Sequence, residues 1–187
     1  KDNNFIGELI DDNEETEDDL NQKVSGGELT VPITNVKSLN PLIAGSSSIY
    51  YFNKLIFEGL FELDDKLEPK EKLVKNYNIN NDGSIDITLK DNIKWHDGKP
   101  LSTEDVEFTI NTLKYAANNP NYSNMILDIY LPEGISNINN ITNIIIRDSL
   151  NMTIYFDLKN KNILEVLNFP IVAKHVFYKD NNVNSIK

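Results

Sequence analysis

Cysteine is absent from all 187 residues, which excludes disulfides, thiolate nucleophiles and thiolate metal ligands. Histidine is nearly absent: there are only His96 and His175. His96 stands beside Asp97, but no third ligand follows at workable spacing, so a structural turn, not a metal site, is the expectation there. No stretch approaches the ~18 consecutive apolar residues of a membrane-spanning helix. Basic residues are in the minority, with 18 Lys and Arg against 29 Asp and Glu, so a nucleic-acid footprint is missing. Missing too are a Gly-X-Ser-X-Gly elbow, a phosphate-binding loop and a dinucleotide fingerprint. The serines at 46–48 have no identifiable base, which a nucleophile requires. These absences leave binding, with no catalytic residue, no metal and no cofactor expected.

What charge there is sits at one end. Residues 1–23 hold nine acidic side chains against Lys1 and Lys23, and the rest of the chain is close to balanced. The run from Asp11 to Asp19 has too few apolar residues to offset chain entropy, so 1–27 reads as an acidic flexible tether ending at Gly26-Gly27. Phe5, Ile6, Leu9 and Ile10 form one apolar turn within it. The spacing Asp11-Asp12-Asn13-Glu14-Glu15 lacks the glycine and alternating ligands of a calcium loop.

The residues from Ser84 to Leu113 organise the remainder. Ile85, Ile87 and Leu89 alternate with Asp86, Thr88 and Lys90, the period of a strand with one buried face. Asp91-Asn92 signals a turn, residues 93–95 a short return strand, and Asp97-Gly98 a second tight turn. Ser102 opens a capping box with Asp105, and Val106, Ile110, Leu113 and Ala117 share one face of the helix that follows. Trp95, just before the turn, reads as a packing aromatic rather than a ligand platform.

Elsewhere, residues 28–33 alternate like a strand with Pro32 near its end, and Ser38-Leu-Asn-Pro-Leu42 follows. Gly45-Ser46-Ser47-Ser48 suits a loop exposing amides and hydroxyls before a helix over 49–57; a helix cap by Ser47 or Ser48 and a ligand contact both stand as readings. Gly59 is placed near the left-handed cap position of that helix. Residues 61–65 read as a short strand and turn, 77–79 and 84–89 as a hairpin through Asn81-Asp82-Gly83, and 141–147 with 152–158 as another around Asp148 to Asn151. One or two helical turns are expected over 122–131, and a short helix over 163–167.

Three stretches carry a family resemblance. Lys94-Trp-His-Asp-Gly-Lys-Pro-Leu-Ser-Thr-Glu-Asp-Val-Glu-Phe-Thr-Ile110, Leu55-Ile-Phe-Glu-Gly-Leu60 and Pro170-Ile-Val-Ala-Lys-His-Val176 resemble motifs of the family 5 extracellular solute-binding proteins. These are the oligopeptide-, dipeptide- and nickel-binding receptors of ABC importers. Ala173 departs from the family, where a proline is usual. The resemblance covers about residues 27–178 and implies an α/β mixed (α+β) fold: a periplasmic-binding-protein-like lobe I fragment, its sheet mostly antiparallel with helices on one face. It implies 28–48 as the first strand and loop of lobe I, 49–179 as an inserted subdomain and 180–187 as the start of a continuation. The function implied is substrate-binding component of an importer, with Gly45, Ser46, Ser47 and Tyr122 lining the ligand cleft; Tyr115 and Tyr130 compete for the tyrosine position. The implied partners are an oligopeptide ligand, the ABC importer permease and a second lobe of the same protein. The location is extracytoplasmic, at the cell surface. No signal peptide is present in the sequence as it stands; a lipid anchor would attach to a residue upstream of Lys1. Alternatives are a surface interaction or signalling protein keeping only the subdomain, a receptor for nickel or an oligosaccharide, and a hydrolase on the same fold.

Overall fold

A computed structural model describes residues 26–28, 30, 32, 38–43, 47–120, 135–157 and 163–178. The chain divides into two units, 1–31 and 32–187. In the first, Gly26 and Gly27 take positive φ, and Gly26, Gly27, Glu28 and Thr30 are exposed. The proposed tether up to residue 25, most of the strand expected at 28–33 and the turns expected at 122–131 lie outside the described residues; Glu28, Thr30 and Pro32 are not in a strand.

In the second unit, α1 (Ser47–Lys54) leads to a small hairpin of β1 (Phe61–Leu63) and β2 (Pro69–Glu71). A four-stranded sheet follows, from β3 (Val74–Ile79), β4 (Ser84–Leu89), β5 (Ile141–Ile146) and β6 (Asn151–Phe156) in the order β3-β4-β6-β5. Every pairing is antiparallel, with Ile85 opposite Ile154 and Ile87 opposite Met152. The long helix α2 (Thr103–Ala117) crosses between the two hairpins in sequence, and the short helices α3 (Ile163–Val166) and α4 (Lys174–Phe177) close the described chain.

The period-two pattern of β4 decides which face is covered. Ile85, Ile87 and Leu89, with Met152, Ile154 and Phe156 of β6, are buried together with Val106, Ile110 and Leu113 of α2. This is the sheet-with-helix layering expected when a half-apolar sheet meets an amphipathic helix. The opposite face of the central strands is polar and internally satisfied. Asp86 accepts hydrogen bonds from Thr153 Oγ1 at 2.7 Å, Arg147 Nη2 at 2.8 Å and Asn80 Nδ2 at 3.0 Å.

Several expectations are adjusted. The return strand at 93–95 is reduced to a single bridge between Lys94 and Pro100, because the intervening turn leaves room for one pair. Helix α1 stops at Lys54, and Leu55 and Ile56 turn back onto Phe52 and Asn53. Gly59 is not a left-handed cap: positive φ among the described glycines belongs to Gly26, Gly27, Gly83 and Gly98. Its role is close approach, since a Cβ there would stand 2.7 Å from the Phe169 carbonyl oxygen and 2.9 Å from that of Phe61. Gly59 bridges Pro170, and the Glu58 carbonyl receives the Ile171 amide at 2.9 Å. The segment after α1 is thereby fastened to the segment before α4.

Candidate functional site

The chain ahead of α1 is shaped by one asparagine. Asn40 Oδ1 accepts the Leu42 amide at 3.0 Å, its carbonyl accepts Ile43 at 3.1 Å, and its own amide donates to Ser38 Oγ at 3.1 Å. Asparagine favours such turns because its side chain mimics a backbone carbonyl two residues on. The turn leaves Leu42 buried. Ser47 is the first residue of α1 and is exposed. Ser47 and Ser48 therefore lie inside the helix and do not cap it. Gly45, Ser46 and Tyr122 lie outside the described residues, as does Tyr130. Tyr115 is half-buried on α2 and accepts a hydrogen bond from Asn119 Nδ2 at 3.1 Å. Of the four residues expected at the cleft, only Ser47 is located.

Along α1 one face turns inward through Ile49 and Asn53, and Tyr51 and the following Leu55 turn outward, 67% and 65% exposed. Beside the inner end of the helix lies a cleft of about 190 Å³ lined in part by Tyr50, Lys54, Glu58, Glu62 and Lys72. Glu62 stands between two ammonium groups, 2.7 Å from Lys72 Nζ and 3.4 Å from Lys54 Nζ. The hydrogen bond from Lys72 leads in holding the Glu62 carboxyl below its ordinary value, and Glu62 in turn raises Lys72. Lys54 Nζ also lies 5.8 Å from the Tyr50 ring centroid.

A second constellation surrounds the stretch from Lys94 to Ile110. Gly98 takes φ +84° and closes the hairpin turn by donating to the Trp95 carbonyl at 2.9 Å. Trp95 packs against the core, and its indole nitrogen donates to Asp105 Oδ2 at 3.3 Å. Asp105 is buried, and both oxygens are occupied: Oδ2 accepts the Ser102 amide at 2.9 Å, as a capping box requires, and Oδ1 accepts the Lys174 amide at 2.8 Å. Asp97 does more than shape the turn. Its Oδ1 accepts the Lys99 amide at 3.1 Å, and its Oδ2 lies 2.7 Å from His175 Nε2. These contacts, the Lys99 amide first, hold the Asp97 carboxyl below its usual range. The partnership with His175 spans 78 positions and leaves no trace in local spacing. Among the described residues no three His, Asp or Glu side chains gather as a metal site, and no helix is long and apolar enough to cross a membrane.

Comparison with known proteins agrees with this architecture. The oligopeptide-binding protein OppA of Bacillus subtilis is 30% identical over 118 residues, covering 60% of this chain and 21% of OppA. The nickel-binding protein NikA of Staphylococcus aureus is 41% identical over 58 residues, covering 30% of this chain and 12% of NikA. The crystal structure of NikZ from Campylobacter jejuni in complex with Ni(L-His) superposes with a TM-score of 0.60 at 28% identity, covering 79% of this chain and 27% of NikZ. The chain thus spans about an eighth to a quarter of the length of these relatives. The model of the bacterial extracellular solute-binding proteins, family 5, matches residues 68–186. With the antiparallel sheet, the capped helix and the Trp-His-Asp-Gly turn in place, this chain belongs to the family 5 extracellular solute-binding proteins.

Proposed function

We propose that the chain is part of the substrate-binding component of an ABC importer, acting outside the membrane and taking oligopeptides. The observation that carries the peptide reading is the alignment with OppA, an oligopeptide-binding protein, over 60% of the chain. On this reading Gly45, Ser46 and Ser47 offer backbone amides and hydroxyls to the backbone of a bound peptide, and Tyr122 supplies an apolar wall with a polar tip. No covalent step is involved. The acidic residues 1–27 serve as a spacer, with any lipid anchor upstream of Lys1. The permease in the membrane and an opposite lobe complete the apparatus. Because the chain covers 21% of OppA, it contributes one wall of the cleft in this account.

A nickel complex is the second reading, favoured by the 41% identity to NikA and the 28% identity to NikZ. Amide chemical shifts separate the two. A labelled chain titrated to about 10 mM, beyond the millimolar affinity of a single weak wall, with a mixture of tri- to pentapeptides should show shifts at Ser47 and Ser48. Nickel with histidine should leave them unmoved. Shifts produced by the nickel complex alone would replace the peptide reading, and no shift with either would remove the site from the start of α1.

A further inference from the structure

Residues 171–173 and the helix that follows are held in different ways. Ile171, Val172 and Ala173 are buried, and the Val172 amide donates to Thr109 Oγ1 of α2 at 3.1 Å. Helix α4 begins one residue later and buries none of its side chains. A four-residue helix has no stability of its own, and Ala173 before it has no side-chain oxygen to cap it. The cap comes from another element: Asp105 Oδ1 accepts the Lys174 amide, while Oδ2 of the same carboxylate accepts the Ser102 amide in the capping box of α2. Two further polar ties follow. Lys174 Nζ lies 2.8 Å from Glu104 Oε2, and His175 Nε2 lies 2.7 Å from Asp97 Oδ2.

Between these ties the packing is open. A hollow of about 370 Å³ is lined from one side by Lys99, Ser102 and Glu104, and from the other by Lys174, His175 and Tyr178. Apolar contact is limited to the partly buried Phe177 and to Tyr178, whose ring meets that of Phe108 edge-on at 5.9 Å.

We propose that α4 is a strap, hinged at Ala173, whose docking is governed by two surface pairs, the hydrogen-bonded Asp97–His175 and the ion-paired Glu104–Lys174. Exposed polar pairs contribute little each, and the Glu104–Lys174 pair is screened by salt, so small changes at these pairs shift the balance between docked and released forms. Asp105 sets where the strap lands, and the two pairs set how long it stays. The acidic residues belong to the stretch Lys94 to Ile110, and the basic ones to Pro170 to Val176. Charges that face the pairs from neighbouring positions are Lys99, 3.9 Å from Asp97 Oδ2, together with Glu107 and Asp105 beside Lys174.

The test is residue-resolved hydrogen exchange on the 187-residue chain with Asp97→Asn, Glu104→Gln and the double variant. The Asp97→Asn change retains an oxygen for the Lys99 amide, so the turn stays closed. The amides of Val176, Phe177 and Tyr178 bond to Ala173 and Lys174 carbonyls when α4 is formed. Their exchange should accelerate by roughly tenfold in the double variant, less in each single one, with 1 M NaCl acting likewise on the wild type. Ile85, Ile87 and Ile110 should exchange at unchanged rates, and Asp91→Asn, which breaks the remote pair with Lys75, should leave the strap alone. Unchanged exchange at 176–178 would mean that Phe177 and Tyr178 hold the helix and would overturn the proposal. Acceleration throughout the core would equally overturn it, because the pairs would then be supporting the fold rather than the strap.

Discussion

Asp105 serves three groups at once: one carboxylate closes the capping box of α2, receives the Trp95 indole and caps α4. Asp105→Ala strands two backbone amides and an indole inside the protein, and a loss of about 3 kcal/mol or more is expected in chemical denaturation. Asn53 presents the reverse case. It is 1% exposed, and neither its side-chain nitrogen Nδ2 nor its side-chain oxygen Oδ1 has a hydrogen-bond partner. A buried unpaired amide costs on the order of 1–3 kcal/mol, and leucine is of comparable size with a better helix propensity. Asn53→Leu should therefore raise stability by about 1 kcal/mol; a comparable loss would show that the amide is paired. Two glycines fail differently when substituted. Gly98→Val forces a β-branched residue to φ +84° in open space, and Gly59→Ala drives a Cβ into two backbone carbonyls. Each should cost about 1–3 kcal/mol, whereas His96→Ala, at an exposed turn position, should be nearly neutral.

The hairpins and the capped helix were legible because their signals are local. Alternation at 84–89 and 152–158, turn residues at 81–83 and 148–151 and a Ser-to-Asp capping pair act within a few residues of one another, although the second strand runs from Asn151 and stops at Phe156. What escaped was set by contacts distant in sequence: the bridge from Gly59 to Pro170, the reach of Asp97 to His175 and the second use of Asp105. A glycine chosen for close approach looks identical, in sequence, to one chosen for positive φ. Among the expected site residues, Ser47 emerged as a helical residue rather than a cap, because the helix begins at Ser47 and not at Ile49. The central sheet also carries a pH signature. Hydrogen bonds from Thr153 and then Asn80, with the Arg147 charge, lower the Asp86 carboxyl from its ordinary 3.8. Its contribution is complete above that value and is lost as pH falls through the lower folded value. Asp86→Asn should flatten the acid limb of the stability profile as pH falls below the ordinary carboxyl value of 3.8, without changing its slope near neutrality; an unaltered acid limb would mean the Asp86 network carries no linkage.

The whole chain combines a packed sheet and helix with the short helix α1, which leaves Tyr51 exposed to solvent; on the proposed function it supplies one wall of a ligand cleft. It covers between 12% and 27% of NikA, OppA and NikZ, and affinity in a two-walled cleft comes from enclosing the ligand. One wall leaves most peptide groups hydrated while the ordering cost of the peptide remains. The most direct test is calorimetric titration of the 187-residue chain with mixed tri- to pentapeptides and then with the best single sequence. A dissociation constant of about 1 mM or weaker is predicted; micromolar binding would contradict the account, because it would place a complete site within these residues.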